Sequence, residues 1–84
     1  METQDELKAR YHEASVRERK AFWEMTAAIF DVTVRDAGAA LGLEGAATPE
    51  LHARADALRA EHRTLEEECQ RILASAFPAR KKAD

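Results

Sequence analysis

The chain is poor in residues that interrupt a helix. It has three glycines and two prolines in 84 residues. Hydrophobic residues make up 45% and charged residues 35%. That balance is the profile of a helical protein, and it argues against both a sheet and a disordered tail. A chain of this length buries a modest core, and small domains often gain stability by oligomerising. A single cysteine, Cys69, excludes an intrachain disulfide. No apolar run approaches the ~20 residues that span a bilayer. The start, METQDELK, is too polar for a secretory leader, so a soluble, cytoplasmic protein is expected. There is no basic excess either. The net charge is −3 and the isoelectric point lies near 5.6, whereas dedicated nucleic-acid binders usually carry a basic face. The one basic cluster is Arg80-Lys81-Lys82, in a tail expected to be flexible over residues 79–84. Arginine outnumbers lysine nine to four and alanine is the commonest apolar residue, which fits a bacterial, GC-rich source.

Recognisable site chemistry is also missing. His12, His52 and His62 have no partners at metal-ligand spacing, so no metal is expected. Gly38, Gly42 and Gly45 do not form a phosphate-cradling G-x-G-x-x-G, and no cofactor is expected. Glu66-Glu67-Glu68 reads as a solvated helix face. Cys69 falls on an apolar stripe, where a buried thiol packs as a small hydrophobe. These absences point away from an enzyme. The enzymatic alternative is a Glu/His cluster assembled across a subunit interface.

What is present is helical periodicity. Thr3 and Glu6 have the spacing of a capping box, which starts a helix over residues 4–32. Leu7, Tyr11, Ala14, Ala21, Phe22, Met25, Ala28, Ile29 and Val32 recur at helical intervals along it. A second stripe, Val16, Trp23, Ala27 and Phe30, points the other way. Thr33 is placed to cap a short helix over 34–41, ended by Gly42 at C′ with Leu43 making the accompanying apolar contact. Thr48, Pro49 and Glu50 are an N-cap, a first-turn proline and a first-turn acid. The helix they open runs over 49–77 and stops before Pro78. Leu51, Ala55, Leu58, His62, Leu65, Cys69, Ile72 and Ala76 alternate in steps of four and three along it, a seam of more than three heptads.

The expected fold is all-α, in one domain over residues 1–78. Two long helices form an antiparallel hairpin joined by the short connecting helix. Aligning Ile29 with Leu51 sets Met25 on Ala55, Phe22 on Leu58, Tyr11 on Cys69 and Leu7 on Ile72, so large residues repeatedly meet small ones. The same alignment sets Glu18 opposite His62, the polar exceptions on their stripes. Either they form a buried polar pair or each reaches solvent separately.

Phe22, Trp23, Met25, Ile29 and Phe30 crowd one end of the first helix and face several directions. Two helices cannot enclose them all. Either the short helix covers the remainder, or they form an interface, since large exposed apolar patches mark partners. The expected occupant is a second copy, giving a homodimeric four-helix bundle.

The stretch Thr33-Val34-Arg35-Asp36-Ala37-Gly38-Ala39-Ala40-Leu41-Gly42-Leu43 resembles the opening of helix-turn-helix transcription regulators. Gly38 stands at the small position against which a recognition helix packs, and Gly42 stands in the turn. The resemblance covers about eleven residues. Beyond it, Leu51 fits the pattern, Thr48 is polar where an apolar residue belongs, and Pro49 delays the next helix. The resemblance implies DNA binding with Arg35, Arg54 and Arg59 facing the duplex. Two functions therefore stand: a non-enzymatic protein-interaction or regulatory protein acting through helix–helix contacts, expected to pair with itself and with a protein partner, and a diverged helix-turn-helix regulator.

Overall fold

The computed structural model describes residues 3–43 and 45–76. They form two helices, α1 (Gln4–Ala40) and α2 (Pro49–Ala76). The expected stop between Phe77 and Pro78, the basic tail and the loop residue Glu44 lie outside the described residues.

The start of α1 follows from its capping box. The Thr3 backbone N–H and hydroxyl donate to Glu6 Oε1 at 3.0 Å, and the Glu6 N–H donates to Thr3 Oγ1 at 3.2 Å. Thr3 thereby holds the Glu6 carboxyl below the usual carboxylate range, through its backbone N–H first and its hydroxyl second. The end is a Schellman turn. Gly42 sits at φ +88° and donates to Ala39 O, while Leu43 donates to Gly38 O at 2.9 Å.

The separate helix expected over 34–41 is not there; α1 runs unbroken through Thr33 for 37 residues. A break would orphan up to four N–H and four C=O groups. Against that, three consecutive β-branched residues, Val32, Thr33 and Val34, cost a few tenths of a kcal/mol each in propensity. No proline or glycine intervenes before Gly38. Arg35 Nε also donates to Asp31 Oδ1 at 3.0 Å, one turn back, and staples the ladder across this point. Thr33 can cap a helix, but nothing here requires a cap.

The connector is held to both helices. Asp36 accepts the Ala47 N–H at 2.9 Å through one carboxylate oxygen, and its other oxygen lies 3.1 Å from His52 Nε2. Thr48 then caps α2, its hydroxyl accepting the Leu51 N–H at 3.2 Å. From there the contacts run in opposite chain order: Asp36 with His52, Glu18 with His62, and Leu7 packed on the Ala14–Cys69–Ile72 cluster.

The core between the helices is one layer deep. Among the described residues its buried apolar side chains are Ala14, Ala21, Ala55, Leu58, Cys69 and Ile72, and no large one is fully enclosed. The molecule measures 58 × 27 × 14 Å with a radius of gyration of 18.3 Å. A globular chain of this length would have about 12 Å.

Candidate protein-interaction face

Continuity of α1 changes the second stripe. Val16, Trp23, Ala27 and Phe30 are followed at the same spacing by Val34, Ala37 and Leu41, and Lys20 fills the only remaining position. The steps alternate four and three from 16 to 41, a heptad seam. All eight positions are exposed. Phe30 is 69% exposed, Trp23 64% and Leu41 82%. At 100° per residue this seam points directly away from the stripe that packs on α2. One helix therefore carries two seams on opposite sides, one covered and one bare.

The five aromatic-end residues divide accordingly. Met25 and Ile29 are half-buried on the α2 side. Ile29 lines a shallow groove there with Val32, Ala55 and Arg59. Trp23 and Phe30 stand on the bare side. Phe22 lies between the two seams. Its ring centroid is 5.4 Å from that of Trp23, with planes at 78°, and 5.6 Å from the His62 ring. An edge-to-face pair of this kind is favourable beyond the area it covers.

Beneath Phe22 the structure brings Glu18 and His62 together, Oε2 to Nε2, at 2.7 Å. The His62 side chain is 14% exposed and that of Glu18 30%. Arg17 approaches Glu68 at 3.6 Å beside them, at the surface. Cys69 is buried next to this cluster. Burial pushes its thiol up, Glu18, Glu68 and Glu66 add to the effect, and Arg17 opposes it. A thiol held protonated is a poor nucleophile.

The arginines assigned to DNA by the helix-turn-helix resemblance all lie near the connector. Arg35 is bonded to Asp31, Arg59 lies 4.0 Å from Asp56, and Arg54 is exposed. A second groove, of about 290 Å³, opens at the far end between Leu7, Tyr11, Ile72 and Leu73. Among the described residues no group of three or more His, Cys, Asp or Glu could hold a metal ion, and no helix is long and apolar enough to cross a membrane.

Sequence reasoning missed two things. Asp36 ties α1, the connector and α2 together, yet a lone acid before an alanine run gives no signal of that. The full bare seam was also missed, because a break assumed at Thr33 hid its last three positions. Comparison with known proteins finds no matching family, no similar curated protein and no similar solved structure.

Proposed function

We propose that this chain is a non-enzymatic interaction protein of the cytoplasm, acting through helix–helix contacts as a homodimer. In this reading α1 and α2 form a long antiparallel hairpin, and two hairpins associate into a four-helix assembly. One observation carries the proposal: Trp23 and Phe30 stand 64% and 69% exposed on the face of α1 that α2 does not cover. Aromatic residues are the usual anchors of protein interfaces. The total surface supports the same reading. It is 6627 Å², against about 5,000 Å² for a monomeric protein of this mass.

Sedimentation equilibrium at micromolar concentration tests this. A dimer whose dissociation constant rises in Trp23→Ala and in Phe30→Ala is expected. A chain that stays monomeric at every concentration would overturn the proposal.

The competing proposal is a diverged helix-turn-helix regulator. It is favoured by the grouping of Arg35, Arg54 and Arg59 at the connector end. Ion pairing of Arg35 and Arg59 with carboxylates on their own helices weakens it. Phosphate contacts are strongest at low salt, so absence of binding to mixed-sequence duplex at low salt would end that reading.

A further inference from the structure

The bare seam also fixes how two copies would meet, an inference that rests on the homodimer reading above. We infer that α1 pairs with α1 of a second copy, antiparallel, about a two-fold axis that passes between Ala27 and Phe30.

The seam is self-complementary about that axis. An isologous interface must match the same surface to itself. When the seam is reversed on itself, Trp23 meets the partner's Val34, Ala27 meets the partner's Phe30, Lys20 meets the partner's Ala37, and Val16 meets the partner's Leu41. Every position finds a layer, none overhangs, and the largest residues face smaller ones. A parallel arrangement would stack Trp23 on Trp23 and Phe30 on Phe30, leave a gap at Ala27, and set Lys20 against Lys20. Its one compensation would be Arg19 reaching the partner's Glu24.

Charge favours the same orientation. The last turn of α1 contains no basic residue, so the negative end of its helix dipole has no cation of its own. Antiparallel pairing brings Arg19 and Lys20 of each copy beside that end of the other. The register does set Glu24 near the partner's Asp31. Arg35, bonded to Asp31 at 3.0 Å, offsets that repulsion.

The area is sufficient for a stable pair. From Val16 to Leu41 the seam is about 38 Å long. Its exposed side chains offer on the order of 600 Å² per copy, the low end of stable interfaces. Because the two seams of α1 point in opposite directions, the dimer is a layer of four helices with the α1 pair at its centre and an α2 on each outside face.

Spin labels on Glu13→Cys test the orientation. Glu13 is exposed and lies one seam step before Val16, outside the paired layers, whereas Cys69 is buried and should not label; unsubstituted protein carried through the labelling confirms this. Antiparallel pairing puts the two labels about 45 Å apart along the helix axis, and parallel pairing leaves them within roughly 20 Å. Ala27→Leu is the second arm. It would crowd the partner's Phe30 at both symmetry-related layers and raise the dissociation constant at least about tenfold; in a parallel dimer it would fill a gap and tighten binding. A dimer with close labels, or one tightened by Ala27→Leu, overturns the antiparallel pairing and leaves the homodimer standing. A monomer at all concentrations overturns both.

Discussion

Gly38 and Gly42 lie four residues apart and should respond to alanine with opposite signs. Gly42 sits at φ +88°, in the left-handed region, where it donates to Ala39 O and positions Leu43 to donate to Gly38 O. A Cβ there would meet no atom within 4 Å, so the penalty is one of backbone conformation and not of crowding. It amounts to about 1–2 kcal/mol. Gly38 is helical, and a Cβ added to it would touch only Leu43 Cβ and Cδ1, both at 3.8 Å, which is ordinary contact. Alanine there should gain about 0.5–1 kcal/mol from helix propensity. The two variants should therefore differ by about 2 kcal/mol, or roughly 8–16 °C in melting temperature for a chain of this size. Thermal and urea unfolding must be compared at one protein concentration, because dimerisation couples stability to concentration. The result also bears on the helix-turn-helix resemblance, which needs Gly38 small so that a second helix can pack on it. Destabilisation by Gly38→Ala of about 1 kcal/mol or more would refute the packing described here and revive that requirement, since such losses come from buried contacts.

Three further expectations follow from the polar contacts. A double-mutant cycle of Glu18→Ala and His62→Ala should give a coupling on the order of 1 kcal/mol, reduced from that of a buried charged hydrogen bond by partial exposure; a coupling near zero would show that the 2.7 Å contact adds nothing. Asp36→Ala should cost about 1–2 kcal/mol by leaving the Ala47 N–H without its acceptor, and amide exchange at Ala47 should accelerate; unchanged exchange would count against the tether. Burial raises the Cys69 thiol above its ordinary 9.0. At mildly alkaline pH, alkylation should therefore be slow in the native protein and fast in urea, read by mass spectrometry. The linked stability is fully present below pH 9 and is lost as pH rises through the raised folded value.

The sequence was most legible where a signal had a single physical reading. Thr3 with Glu6, Gly42 followed by Leu43, and Thr48 with Pro49 each specify a helix end through backbone groups within a few residues, and the structure shows each of those ends. The four-three seam of α2 was legible for the same local reason, and its Ala55, Leu58, Cys69 and Ile72 are buried. Thr33 was ambiguous because one hydroxyl suits both a cap and a helix interior. What decides between them is the cost of opening the ladder, which composition does not display. Asp36 was illegible because its partners, Ala47 and His52, are brought to it only by the turn.

Val34→Pro isolates the point on which the bare seam depends. If a helix began after Thr33, residue 34 would be its first position, where proline is favoured and its missing N–H costs nothing. In a continuous α1 the same ring deletes the hydrogen bond to Phe30 O and strikes that carbonyl, at about 3 kcal/mol or more. Val34 is 52% exposed, so Val34→Ala removes the side chain with little effect on the monomer and serves as the reference. The expected outcome is a large loss of helicity by circular dichroism in the proline variant and none in the alanine variant. A tolerated proline would mean that α1 ends near Val32 and that Val34, Ala37 and Leu41 belong to another element. The seam would then shrink to about 21 Å, from Val16 to Phe30. It would also lose the layers that make it self-complementary, since Trp23, Lys20 and Val16 would have no partners at 34, 37 and 41. The antiparallel pairing therefore stands or falls with the helical bonds that carry α1 through residues 31–35.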